Sequence, residues 1–119
     1  MFVPLDLQSG GFFRNAQDQL RVLQSRAIRA ALQRERASRP TRGALVIAGD
    51  FNAIGSYESI HTLQQGLDLD GSDLALSDAP RLGERSLVTW TDPTVGQFLP
   101  ARLDLTLYSD AAFERTGGF

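Results

Sequence analysis

The residues best suited to chemistry in this chain are an acid and an amide two positions apart, Asp50 and Asn52, at the exit of the apolar run Ala44-Leu45-Val46-Ile47-Ala48. In extended backbone a spacing of two points both side chains the same way. A carboxylate there can orient or deprotonate a water, and a carboxamide can donate to a phosphoryl oxygen, so the pair suits attack of water on a phosphate ester. The same residue types also begin turns after strands, and the spacing alone leaves that structural reading open.

The elements that must position the pair follow from pattern. Leu45 to Ala48 is short, β-rich and apolar on both alternations, as in a strand covered on both faces. Ahead of it, Phe2 to Leu7 alternates loosely as a strand, and Ser9-Gly10-Gly11 breaks it. A helix is predicted from an Asn15 N-cap, with Ala16, Leu20, Leu23, Ala27 and Ala31 on its apolar face and Ile28 beside them. Arg14, Arg21, Arg29 and Arg36 take the other face, as a solvated charged row, and the segment from Ser38 to Gly43 ends the helix at its proline. After Asn52, Ser56 caps a short helix with Tyr57, Ile60 and Leu63 inward and Gly66 as its stop. Asp68 to Arg85 reads as an exposed connection, and Ser86 to Thr91 and Ala101 to Ser109 as two further strands.

Composition excludes several classes. With 42% hydrophobic and 22% charged residues in 119, the chain is ordinary globular material and room for one domain, 1–119. No apolar run approaches the roughly 18 to 20 residues of a bilayer span, and Met1 to Gln8 has no basic segment with a long apolar stretch behind it, so a soluble protein without an export signal is expected. The absence of cysteine rules out thiolate metal sites and disulfide staples, and a single histidine rules out a His-rich metal site. All 12 basic residues are arginine. Residues 1–49 hold eight of them against three acids, a balance of +5, while residues 50–119 hold four against eleven, a balance of −7. The halves therefore differ electrostatically.

Gly49-Asp50-Phe51-Asn52-Ala53 resembles the GDFN signature of the endonuclease/exonuclease/phosphatase superfamily, the DNase I-like fold. Other landmarks fall in the same order. Leu7-Gln8-Ser9-Gly10-Gly11 with the following helix is similar to the family's HLKSGG segment, Leu76-Ser77-Asp78-Ala79 with Thr89-Trp90 to its loop and TW strand, and Ala101 to Ser109 to its RIDYILVS strand. The resemblance implies that Asp50 positions and activates the attacking water, that Asn52 binds the scissile phosphate and shares a metal with Asp50, and that Asp104 is the aspartate that orients a catalytic histidine. It also implies Mg2+ or Mn2+ as cofactor and a phosphoester, nucleic acid included, as substrate. The histidine belongs to a downstream SDH motif and the metal-binding glutamate to an upstream strand. The chain thus corresponds to the C-terminal half of the domain. Where the family often has histidine, this chain has Asp6, which only accepts hydrogen bonds when ionised. Either Asp6 replaces that substrate-binding group or the alignment slips by a residue.

The expected fold is α/β, half of a four-layered sandwich, with one sheet face seeking a partner through homo-oligomerisation or a complementary half. The expected function is metal-dependent phosphodiester hydrolysis, with negligible turnover by these residues alone; the alternative is a non-catalytic remnant or interaction module on the same scaffold. His61 reads as a solvated helix residue and Trp90 as core. Asp68 to Asp73 fails the calcium-loop pattern at its glycine and at position 12, which is Ala79.

Overall fold

The computed structural model describes residues 1–39, 43–79, 83, 85–94 and 98–116, the side chains of 114–116 excepted. Strand β1, Phe2–Asp6, alternates in burial, with Val3 and Leu5 packed on the core and Phe2, Pro4 and Asp6 exposed. Parallel strands need a long crossover, and helix α1, Ala16–Ser38, supplies it before β2, Val46–Asp50. Helix α2, Glu58–Gln64, and the two-residue strand β3, Ala75–Leu76, precede β4, Asp104–Tyr108, and α3, Asp110–Thr116, follows it. The sheet order is β1-β2-β4-β3, with β4 antiparallel to both β2 and β3.

The core forms on one face of this mixed sheet. Leu45, Ile47, Leu105 and Leu107 pack against Leu32 of α1 and Ile60 and Leu63 of α2, with Leu7, Phe51, Leu67 and Leu74 closing the ends. The opposite face carries Phe2, Pro4, Val46, Ala48, Thr106 and Tyr108, and it is partly open to solvent. The expectation that β2 is covered on both faces therefore fails for Val46 and Ala48. Helix α3 reaches over part of that face, stacking Phe113 on Tyr108 at 6.2 Å between ring centroids.

Helix α1 begins where its cap demands. Asn15 is extended, and its Oδ1 accepts the Asp18 N–H at 2.9 Å while Asp18 Oδ2 accepts the Arg14 N–H at 2.7 Å, which satisfies two donors at the helix start. Its orientation overturns the expected faces. Leu20 and Leu23 are 41% and 57% exposed, and Ala16, Ala27 and Ala31 are also exposed, whereas the inward residues are Asp18, Arg21, Val22, Ser25, Leu32 and Arg36. Two of the arginines read as solvated, Arg21 and Arg36, lie on the buried side. Arg21 is fully buried because its guanidinium ties α1 to the preceding turn: Nη1 donates to the Gln8 and Gly10 carbonyls at 3.1 and 2.6 Å, and Nη2 pairs with Asp18 at 3.3 Å. Carbonyl and carboxylate partners make burial of the charge tolerable where periodicity of apolar residues predicts exposure.

Four other expectations change. Tyr57 is 57% exposed, although Ile60 and Leu63 do face inward. The connection after Asp68 is partly core, since Leu74 is buried and β3 pairs with β4. Within it, Asp68 is turned inward, where its carboxylate accepts the Asp110 N–H at 2.8 Å and lies 4.0 Å from Arg36. Ser86 to Thr91 forms no strand; it makes a single bridge, Trp90 to Ala101, and Trp90 is half-buried against Phe98. The last strand runs from Asp104 rather than Ala101. The expected helix stop falls at Ser38, while Pro40, Thr41 and Arg42 lie outside the described residues.

Candidate active site

The C-terminal ends of parallel β1 and β2 and the N-terminal end of antiparallel β4 share one edge of the sheet, so the segments 7–15, 51–57, 85–94 and 98–103 converge there. Register places three aspartates in one row across that edge, Asp6 beside Asp50 and Asp50 beside Asp104. Paired residues on adjacent strands project to the same face about 5 Å apart, so the three carboxyls crowd on the open side. Asp50, in the centre, is half-buried; Asp6 and Asp104 are exposed. Burial pushes the Asp50 carboxyl above its ordinary value, the carboxylates of Asp104 and Asp6 push the same way, and the Asn52 N–H opposes them.

The backbone around Asp50 is fixed from both sides. Leu7 N–H donates to the Asp50 carbonyl at 2.9 Å and Phe51 N–H to the Leu103 carbonyl at 2.8 Å. Gly49 has φ +146°, and a Cβ there would lie 2.0 Å from the Leu5 carbonyl oxygen, so only glycine lets β1 approach β2 just before the acid. Thr89 Oγ1 accepts both the Leu103 and the Asp104 N–H, at 2.9 and 3.0 Å, and so anchors the start of β4. Sequence reasoning assigned Thr89 only to a strand; its hydroxyl beside two backbone donors is a tertiary contact with no local signature.

Asp50 and Asn52 are brought together, but not by extended alternation. The strand ends at Asp50, Asn52 is left-handed with φ +48°, and Asp50 Oδ1 accepts the Asn52 N–H at 2.8 Å, an Asx-turn. Asparagine tolerates this region better than most residues. The Asn52 side chain is buried and its Nδ2 donates to the Leu7 carbonyl at 2.8 Å, which ties the turn to the end of β1. Both readings of the pair, turn and chemistry, thus draw on the same two residues.

A depression of about 220 Å³ opens beside the row, walled by Gly49, Thr89, Arg102, Asp104 and Thr106. Arg102 is held over it by a hydrogen bond from Nη2 to the Ser77 carbonyl. Among the described residues no three His, Asp or Glu side chains converge closely enough to cage a metal ion. Asp50 with either neighbour offers at most two carboxylates, and magnesium is commonly bound through one or two. His61, exposed on α2, lines a different depression from Asp104.

A GDFN turn and a row of three aspartates thus stand together at one edge of a mixed sheet. The sequence model of the Endonuclease/Exonuclease/phosphatase family matches residues 8–118. The chain belongs to that family. Comparison with curated proteins and with solved structures returned no match.

Proposed function

We propose that the chain is a partial endonuclease/exonuclease/phosphatase domain whose aspartate edge serves metal-dependent hydrolysis of a phosphodiester by activated water. The observation that carries this reading is the cross-strand row, because a carboxyl raised by burial and flanked by two like charges is poised to hold a cation or take a proton. In this reading Asp50 orients and deprotonates the water, Asn52 bears on the phosphate, and Asp104 orients an imidazole. A bound Mg2+ or Mn2+ would neutralise phosphate charge and ease the repulsion within the row, and Asp50, with the Asn52 carboxamide oxygen nearby, would hold it.

Turnover by these 119 residues alone is proposed to be negligible, since the metal-binding glutamate and the SDH histidine that the family resemblance implies are not among them. Two tests apply. Mn2+ added to the isotopically labelled chain broadens the amide resonances of residues 50, 52 and 104 selectively, and Asp50→Asn removes the effect; uniform broadening would refute a site at the row. Release of nitrophenol from bis(p-nitrophenyl) phosphate, absent for the chain alone, arises when the complementary half of a family domain is supplied and vanishes with Asp50→Ala.

A second reading, a non-catalytic remnant or interaction module, is favoured by two observations. Asp6 stands in the row where a donor to phosphate is wanted, and one of the two hydrogens of the buried Asn52 amide is already given to the Leu7 carbonyl. In-frame coding sequence for an upstream Asn and Glu and a downstream Asp-His beside this reading frame would decide for the enzyme.

A further inference from the structure

Helix α1 is turned inside out relative to its own pattern. The periodic stripe Ala16, Leu20, Leu23, Ala27 and Ala31 is exposed to solvent, while the core-facing side carries Asp18, Arg21, Ser25 and Arg36. A single exposed leucine is ordinary in a folded chain. Five apolar residues at 4-3-4-4 spacing instead make one continuous strip along the helix, about 22 Å long at 1.5 Å per residue. Beside Leu23 the strip adjoins a depression of about 320 Å³, with buried Val22 and exposed Arg14, Arg26 and Glu58 in its wall.

The charges on and beside the strip are mostly positive. Arg34 continues it beyond Ala31, Arg26 flanks it near Leu23, and Arg14 stands at its start. All three are exposed, and none has an ion-pair partner among the described residues. Of the acids on α1 and around the depression, Asp18 is buried against Arg21 and Glu35 pairs with Arg39 at 3.4 Å. Glu58 alone is exposed. Three free cations therefore face one free acid.

We infer that the outer face of α1 docks an acidic amphipathic helix of another protein, whose apolar side chains pack on Leu20, Leu23 and Ala27 and whose carboxylates meet Arg14, Arg26 and Arg34. Apolar anchors recurring at three and four residues are what recognition between helices reads. The charges choose the occupant. A second copy would meet the strip across a two-fold axis, and antiparallel pairing centred on the strip brings the two copies of Arg26 together, like charge on like. A lipid surface calls for leucines and bulky rings, whereas three of the five strip residues are alanine, short enough to let a second helix approach to about 8 Å. The strip lies on the side of α1 opposite its packed face, so the inference is independent of the phosphoester reading.

Fluorescence anisotropy with the full chain and a labelled synthetic peptide tests it. The peptide spans three heptads with leucine at a and d and glutamate at e and g, and a twin carries lysine in place of glutamate. The glutamate peptide binds, and the lysine twin binds more weakly by about tenfold or more. Leu23→Gln, which leaves the charge unchanged, weakens binding about tenfold, the order of one leucine side chain returned to water. Arg26→Glu weakens it by about as much and flattens its dependence on salt. Arg85→Glu, an equal charge change at an exposed residue outside α1, leaves affinity within about twofold, and circular dichroism confirms that all three variants fold. Failure of the glutamate peptide to bind, equal binding of the two peptides, equal losses from Arg85→Glu and Arg26→Glu, or a Leu23→Gln chain that binds like the parent would each overturn the inference. So would displacement of the peptide by phosphatidylserine vesicles or by an oligothymidylate, or self-association in sedimentation that Leu23→Gln abolishes, since the occupant would then be a lipid surface, a nucleic acid or a second copy.

Discussion

At the residue scale, Asp50 is half-buried at the sheet edge between two like-charged neighbours. Its carboxyl is raised by burial first and by Asp104 and Asp6 second, so the folded state binds its proton more tightly than the unfolded chain does. A raised acid stabilises the fold at low pH, and that contribution is lost as pH climbs from the unfolded value of 3.8 through the folded one. Asp50→Asn keeps an acceptor for the Asn52 N–H and removes the charge. It should raise the thermal midpoint at pH 7 by the equivalent of roughly 0.2–1 kcal/mol for each like-charged neighbour relieved, with the gain fading in scans below the unfolded value. A midpoint that falls at pH 7 and stays lowered in acid would mean the carboxylate is held by a partner and not strained. Gly49 gives the opposite kind of test. Gly49→Ala forces a methyl into the Leu5 carbonyl at a φ of +146°, so urea denaturation should show a loss of about 2–5 kcal/mol.

At the scale of elements, the two helices show how far pattern carries. The Asn15 cap and the proline after Ser38 set α1 to within a residue, because capping and proline sterics are local. The strand ending at Asp50 was legible as a short β-rich apolar run, and the one starting at Asp104 by its alternation, both of them local signals. Which side of α1 faces inward was not legible. Leu20 and Leu23 look like a core stripe, yet Arg21 takes the buried position through the carbonyls of Gln8 and Gly10, partners that only the folded turn provides. β3 escaped because two residues carry no period, and the crowding of Asp6 with Asp50 is a matter of register that spacing along the chain cannot express. Arg21→Ala should therefore unfold the chain more readily than any other arginine replacement in α1. Loss of the cation leaves Asp18 buried and uncompensated, a cost of about 3–5 kcal/mol, whereas exposed Arg34→Ala should stay within about 0.5 kcal/mol. Equal denaturation midpoints for the two variants would show the buried pair to be dispensable.

At the scale of the molecule, the dimensions are those of two layers. The extents are 49 × 35 × 19 Å and the radius of gyration is 15.0 Å, against roughly 13.5 Å for a compact chain of this length. A sheet with α1 and α2 on one face and the short α3 over part of the other is about that thin, and the second face keeps Phe2 67% exposed with Val46, Ala48 and Tyr108 half-covered. The edge of β1 has no paired neighbour among the described residues, so it offers both an apolar surface and a row of free backbone groups. These are the conditions for association with a second sheet, whether from another copy or a complementary half. Sedimentation should then show self-association that grows with concentration, and Ala48→Glu with Val46→Lys, on the open face, should shift the protein toward monomer without lowering its helix content. The same double variant tests the link between layer and chemistry: a second sheet pressed on this face would cover the Asp50 row and exclude water from it. Loss of association should therefore leave the Asp50 carboxyl with only the elevation that the single chain gives it, below that of the associated form in a titration followed by carbon NMR, and equal titrations of the two forms would separate the open face from the site.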